Sequence, residues 1–594
     1  MVLTSKFHYN PMKKTKIYLT VLLVITAVSC TKNFTTLNTN PGAFIAAEPE
    51  AVLPGVFLNT INKFELVNIT TLWEYSHLID PSGRYNVPSE GNVWTNSYVN
   101  VLGNTKQIRN LYAGNPAYTN RVAITDIWEC YVYFYLVGSY GPIPYTHMGD
   151  TSSQDVEYDD ENTIYTSLLS RLKADAATIN VNGDKFTTDP IYGGNMSQWI
   201  KFANSLRLRI ALTVQVNLPA LAASNITELM SNEAGLIGSD ADDPKLSYGS
   251  ASGSQSQYNV QLVQGSSYIN GAAPVMSDYV FTWFRSYNDP RLSAYFQPCV
   301  TKQNITDTLT STADSKHYIV SYGIPHNGSP KSYAKLTNWN LTSTPADPSG
   351  NYPLQGTYSV NYSTLPTVLT APTRPFYIMT YAEVCFMKAE AVLKGYGGTS
   401  VTTADQYYYT GINANFAFWG LTQAQATAYQ QQSGIKWGTA GTGFNYDIGL
   451  FNTNLSTDNF KKIWLQQWIN YFDDGGFEAW VLFRRTQAFV LPPHTNPGGE
   501  LGLTTPYENL PDRYNYPVAN ESAVNPIGYA NGVKLLSNGQ DWGMTLLKFE
   551  PAYTSVNWAN VPVFYDIKFV QKWYGTHIQD LTAAGVTYTT LSTY

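Results

Sequence analysis

The sequence predicts a mainly α-helical protein, a superhelix of paired helices with an irregular, loop-rich subdomain carrying short strands. Two observations predict it. Apolar residues recur at three- and four-residue steps in segments that fall into four adjacent pairs, and one long stretch, about 240–375, loses that rhythm.

The first pair covers about 92–113 and 121–137, the second about 162–179 and 196–214. In the third, Tyr381, Ala382, Cys385, Phe386, Ala389, Val392 and Leu393 line one face, with Glu383, Glu390 and Lys394 on the other, and Gly395 stops the helix. A short Gly/Thr linker leads to a second helical run over 404–419, so the two form an antiparallel hairpin. The fourth pair covers about 459–471 and 477–485. Helical pairs repeated in one chain suggest tetratricopeptide-like units, with a helical frame over about 92–235 and 376–487. The stretch 240–375 is rich in Ser, Gly, Asn, Thr and Tyr and reads as loops with short strands and a few short helices; 488–594 reads as an irregular C-terminal region. Loops carried on a rigid frame are where binding residues usually sit.

Ahead of the frame stands a routing signal. Lys13, Lys14 and Lys16 precede the apolar run Ile17 to Val28, and Ala27-Val28-Ser29-Cys30 supplies small residues before a Cys. The run is too short for a membrane span. Residues 1–29 therefore read as an export signal, with Met12 as the expected start. Cys30 stands as in a bacterial lipobox, a resemblance that implies acylation of this first mature residue and leaves 30–594 as a single domain. Of the remaining cysteines, Cys130, Cys299 and Cys385 show neither metal-ligand nor disulfide spacing, and Cys130 and Cys385 fall on apolar helical faces as small buried hydrophobes.

A net charge of −7 with no basic run gives nothing for a phosphate backbone to hold, which excludes nucleic acid as a partner. Charged residues make up only 13%, against about a quarter in an average soluble protein, while 45 Tyr and 14 Trp offer flat apolar faces with polar edges. Such a surface suits neutral ligands rich in hydroxyls. Reaction chemistry finds no foothold: the sequence has no His-Glu-x-x-His, no EF-hand loop, no phosphate-cradling Gly loop and no serine nucleophile elbow. Carboxylates such as Asp80, Glu90, Asp159, Asp160 and Asp278 show no pairing of the kind a glycosidase needs. The expectation is a binding protein with no catalytic residue, metal or cofactor. Aromatic residues in polar loops are the candidates for contact. A subset of Trp73, Tyr85, Trp283, Tyr287, Tyr322 and Trp339 is expected to form a curved platform on which sugar rings stack, with Arg84, Asn86 and Asn288 directing hydroxyls.

Seven separated segments resemble the SusD/RagB family, and within it the starch-binding SusD-like lipoproteins. They are Cys30-Thr31-Lys32-Asn33-Phe34 with Asn38-Thr39-Asn40-Pro41; Gly141-Pro142-Ile143-Pro144-Tyr145; Trp199 through Arg209; Asn288-Asp289-Pro290-Arg291-Leu292; Tyr381-Ala382-Glu383-Val384 with Ala389-Glu390-Ala391; Gly476 through Trp480 with Arg484-Arg485-Thr486; and Pro511 through Pro517 with Glu521 and Asn525. The resemblance implies a SusD-like α/α superhelix of four tetratricopeptide-like hairpins. It also implies a lipid-anchored outer-membrane protein that captures glycan and delivers it to a SusC-like TonB-dependent transporter. Peptide or another nutrient as cargo, and a surface glycoside hydrolase, stand as the alternatives. Lys32-Asn33 occupy the place where surface-exported members tend to carry acidic residues, so surface exposure is a separate expectation from membrane attachment. The shared charged residues read as structural: Asn204 and Arg207 as bridges to neighbouring turns, Glu383, Glu390, Arg484 and Arg485 as ties between hairpins, and Asp473-Asp474 as a helix cap.

Overall fold

In this computed structural model the long helices are α1 (Pro49–Val67), α2 (Gly103–Tyr112), α3 (Thr119–Tyr140), α4 (Glu161–Thr178), α5 (Met196–Thr213), α6 (Pro219–Ser231), α7 (Tyr381–Leu393), α8 (Ala404–Phe418), α9 (Asn459–Asn470) and α10 (Gly476–Thr486). The structure describes residues 48–80, 91–149, 155–264, 365–398, 401–440, 459–472, 474–489, 511–536, 539 and 545–546, and parts of 275–296. Cys30 and Cys299 lie outside the described residues.

Local chemistry sets the helix ends. Asp160 accepts from the Thr163 N–H at 2.9 Å to start α4, and Asn195 accepts from Ser197 and Gln198 to start α5. Thr380 accepts from the Glu383 N–H to start α7, and Thr403 forms a reciprocal capping box with Gln406 to start α8. Gly395, at φ +84°, ends α7 in the left-handed conformation that glycine adopts without strain. All four expected pairs are present: α2 with α3, α4 with α5, α7 with α8, and α9 with α10. The first member of the first pair is interrupted, since Gly91–Thr95 passes through a π-helical stretch, Asn96–Leu102, before α2.

Apolar faces meet between the pairs. Phe57 of α1 sits edge-on to Trp128 of α3 at 4.2 Å and stacks at 6.0 Å on Trp199 of α5, whose indole N–H donates to Asp189 at 2.7 Å. Cys130 and Cys385 are buried free thiols, as their helical positions predict. Where α7 crosses α8, a Cβ on Gly411 would stand 2.5 Å from the Phe386 ring, so only glycine allows that approach.

Short strands pin the loops to this frame. β1 (Ile79–Asp80) pairs antiparallel with β5 (Val275–Met276), β2 (Ile143–Pro144) with β3 (Tyr158–Asp159), and β4 (Lys245–Leu246) with β6 (Phe376–Tyr377). The last pair ties the start of the loop-rich stretch to the residues just before α7.

The motif charges are interior ties. Arg485 binds Glu390 through two bonds of 2.8 Å, and Arg209 binds Glu383 through two of 2.7 Å. Arg484 donates to the carbonyls of Gly138 and Asp512. Arg207 reaches Asn225 and Glu228, and Asn204 reaches the Gly235 carbonyl, the expected bridges to neighbouring turns. Glu383 and Glu390 are buried and each meets an arginine of another helix, as ties between hairpins do. One expectation is corrected. Asp474 does not cap α10; it grips the Arg374 guanidinium at 2.9 and 2.8 Å and accepts from the Tyr258 hydroxyl and the Tyr377 N–H, while Asp473 lies outside the described residues.

The segment 511–536 closes over the first two pairs. Arg513 donates to the Tyr140 carbonyl, Tyr516 to the Pro142 carbonyl, and Asn525 bonds both backbone groups of Val156 at 2.9 Å. Glu521 accepts from the Trp94 indole and the Tyr158 hydroxyl.

Candidate functional site

Three of the expected platform residues are described, and all three are buried. Trp73 follows a π-helical turn and stacks on Tyr258 at 5.1 Å, and the Arg374 guanidinium covers the other neighbourhood of Tyr258 at 4.9 Å. Trp283 and Tyr287 stack on each other at 4.4 Å. This corrects their assignment as exposed stacking faces: each ring is spent on another ring, and such burial of a large aromatic is worth more to the fold than a solvent-facing position. Arg84, Tyr85, Asn86, Asn288, Tyr322 and Trp339 lie outside the described residues.

Half-exposed aromatic rings converge elsewhere, at the ends of the third and fourth hairpins. Tyr377 precedes α7, Phe418 is the last residue of α8, and Trp419 follows it; each is partly open to solvent. Tyr377 and Phe418 meet edge to face at 4.8 Å, and Phe418 and Trp419 lie 5.6 Å apart. Behind them, Trp419 leans on Tyr295 at 4.5 Å and on Phe472 at 5.6 Å. The rings border a narrow crevice of about 400 Å³, of which only about 30 Å³ admits the centre of a water molecule. Its other walls include Thr380, Asn470, Tyr471 and Glu478, with Arg209 and Glu383 at the base.

The polar base is largely satisfied. Asn470 donates to the Thr380 hydroxyl at 3.0 Å and accepts from Asn415 at 2.9 Å. Glu383 has both oxygens taken by Arg209, and one of them also accepts from the Tyr471 hydroxyl at 3.2 Å. Glu478 accepts from Arg209 at 3.1 Å. Burial pushes the Glu478 carboxyl up to about 7; the Arg209 guanidinium opposes this and the Glu383 charge adds to it. The crevice thus places one carboxyl poised between its two protonation states beside one locked in an ion pair. A locked, doubly bonded Glu383 is unavailable to attack or to activate water, and the crevice is too narrow to admit a glycosidic bond between the two.

Asp126, Cys130 and Asp175 also bring possible ligand atoms within 4.8 Å of one another. Their chemistry does not suit a cation. Asp126 is held by Arg109 and by Arg171, the latter at 3.1 Å from Nε, and these guanidiniums outweigh burial to keep its carboxyl below the usual range. Asp175, raised by burial and by Asp126 to about 9, retains its proton, and burial pushes the Cys130 thiol well up. A protonated acid, a thiol and two arginines leave little negative charge for a metal.

The residues of the crevice rim were not singled out from the sequence, although a signal was present. Adjacent aromatics at a helix end, Phe418-Trp419 before Gly420, cannot both face the core, because neighbouring side chains diverge by about 100° around a helix.

Comparison with known proteins bears on most of the chain. Residues 58–517 match the SusD-like family described as "Starch-binding associating with outer membrane". Among solved structures, a SusD-like protein of the Bacteroidetes, AC2a, shares 21% identity at a TM-score of 0.66, covering 85% of this chain and 100% of its own. A chitin-binding SusD homologue from Flavobacterium johnsoniae shares 22% at 0.63, over 85% of this chain and 99% of its own. A SusD homologue from Bacteroides uniformis shares 20% at 0.62, over 86% and 99%. No curated protein sequence matches. At this identity the solved structures speak for the mainly helical fold, and the match over 58–517 settles membership: the chain belongs to the SusD-like family, whose members associate with the outer membrane.

Proposed function

We propose that this chain is a non-catalytic, lipid-anchored glycan-binding protein of the outer membrane, exposed at the cell surface, that passes oligo- or polysaccharide to a SusC-like TonB-dependent transporter. The observation that carries the reading is the match of 58–517 to a family described by starch binding at the outer membrane. The Lys13 to Cys30 signal supports the anchor. A neutral, Tyr- and Trp-rich composition supports a hydroxyl-rich ligand.

In this reading Arg84, Tyr85, Asn86, Asn288, Tyr322 and Trp339 remain the ligand contacts, carried on the loop-rich stretch and the loop after β1. Trp73, Trp283 and Tyr287 act as core packing. Ring stacking contributes roughly 1–3 kcal/mol per sugar if base stacking is the guide. Affinity for free glycan is then micromolar to millimolar, with efficiency coming from the tethered transporter.

The test is a panel of α-glucan, chitin and other oligosaccharides titrated calorimetrically, with reducing ends assayed in parallel. Binding without new reducing ends supports capture; turnover would overturn the non-catalytic reading, and peptide binding without glycan binding would replace the ligand. Tyr85→Ala with Trp339→Ala abolishes binding with little change in melting temperature. Cys30→Ala loses labelled fatty acid and leaves the membrane fraction. Protease added to intact cells removes the protein if it faces outward, and sparing it would place the protein on the periplasmic side.

A further inference from the structure

We propose that the crevice at the ends of the third and fourth hairpins is a second saccharide subsite, separate from the loop platform. A neutral sugar ring stacks on Trp419, bordered by Phe418, which is tilted against it, and by Tyr377, which is tilted against Phe418, and turns one exocyclic group towards Glu478. The class of ligand rests on the glycan-binding reading above; the place is argued from geometry alone.

Trp419 is backed by Tyr295 and Phe472, and Phe418 is held between Tyr377 and Trp419, so the rim is formed before any ligand arrives and little ordering cost falls on binding. The crevice behind the rim has the size for a substituent only. About 30 Å³ of centre space holds one or two water molecules, so a hydroxyl or hydroxymethyl group fits where a whole pyranose does not. A ring must therefore stay on the aromatic side.

Polar partners match a hydroxyl in particular. Asn470 uses one amide hydrogen on Thr380, and an amide nitrogen carries two. Glu478, raised by burial to about 7, accepts a hydrogen bond when ionised and donates one when protonated. A hydroxyl can answer both states, so sugar binding here stays nearly level across neutral pH. An ammonium group could answer only the ionised state and would lose affinity below pH 7. Arg209, the arginine of the lining, is already held by Glu383 and Glu478, which leaves it no free valence for an anionic ligand.

The experiment uses the full chain labelled with 5-fluorotryptophan and followed by fluorine NMR. The resonance missing from Trp419→Phe identifies residue 419, and the conservative change keeps the packing on Tyr295 and Phe472. Maltotriose and triacetylchitotriose serve as probes at pH 6 and pH 8. The expected result is a saturable shift of that resonance by at least one probe, with affinity at the two pH values equal within about threefold. Phe418→Ala removes the shift. If glycan moves other tryptophan resonances and binds by calorimetry while the Trp419 signal stays fixed, the subsite is wrong and glycan capture stands. If no probe binds at all, both readings fall. A shift seen at pH 8 and lost at pH 6 would replace the neutral ring by a cationic ligand and overturn the proposal.

Discussion

Removing Arg485 tests whether the shared charged residues hold the hairpins together. Arg485 of α10 reaches back to Glu390 of α7 through two bonds of 2.8 Å, and both side chains are almost wholly out of solvent. Arg485→Met keeps the volume of the stem but strands Glu390, whose remaining described side-chain partner is the Gln215 amide at 2.8 Å. Breaking a buried pair from one side costs about 3–5 kcal/mol, whereas replacing both members is close to neutral. The double variant Arg485→Met with Glu390→Gln should therefore recover most of the loss, giving a coupling energy of about 3 kcal/mol in a double-mutant cycle. Urea unfolding followed by circular dichroism measures it, with an unchanged slope showing that the native state is the same. Acid titration gives a second check. Burial would raise the Glu390 carboxyl, but Arg485 overrides it and holds the group below its usual range. Stability from the pair is thus present above the unfolded carboxylate value and lost as pH falls through the lower folded one. The double variant should flatten that acid limb. A single-variant cost under about 1 kcal/mol, with losses that simply add in the double, would refute the reasoning.

Buried acids predict the opposite limb. Glu478 at about 7, Glu161 at about 8 and Asp175 and Asp243 at about 9 keep protons in the fold that an unfolded chain releases near pH 4, so stability falls as pH rises from 5 to 9. Glu478→Gln should match the wild type at pH 5 and exceed it by on the order of 2 kcal/mol at pH 8; a difference that stays flat with pH would contradict this. Gly411→Ala should destabilise by about 1–3 kcal/mol, because its methyl meets the Phe386 ring, and Phe386→Leu should restore part of the loss. Equal melting temperatures for Gly411→Ala and the wild type would disprove the close approach.

The helical frame was readable because each pair carries its own apolar period, and the helices of the second and third pairs carry cap residues as well. Asp160, Asn195 and Thr403 sit one residue before the helices they start, and Gly395 one residue past the C-cap of the helix it ends. The ligand surface was far less readable. Loop aromatics and core aromatics share a composition, and Trp73, Trp283 and Tyr287 show that a ring flanked by polar residues still finds another ring to pack on. The shared charges were readable as ties between hairpins, but not every partner was: Arg209, which holds Glu383, comes from a helix 174 positions earlier. Asp474 misled for the same reason, its partner Arg374 lying 100 positions earlier.

Glu521 and Asn525 fasten Trp94, Val156 and Tyr158, residues 363 to 427 positions before them. Such distant closures slow folding, since the chain between must be gathered before any bond rewards it. The first two hairpins therefore stay unlatched until the segment 511–536 has been made and folded back onto them.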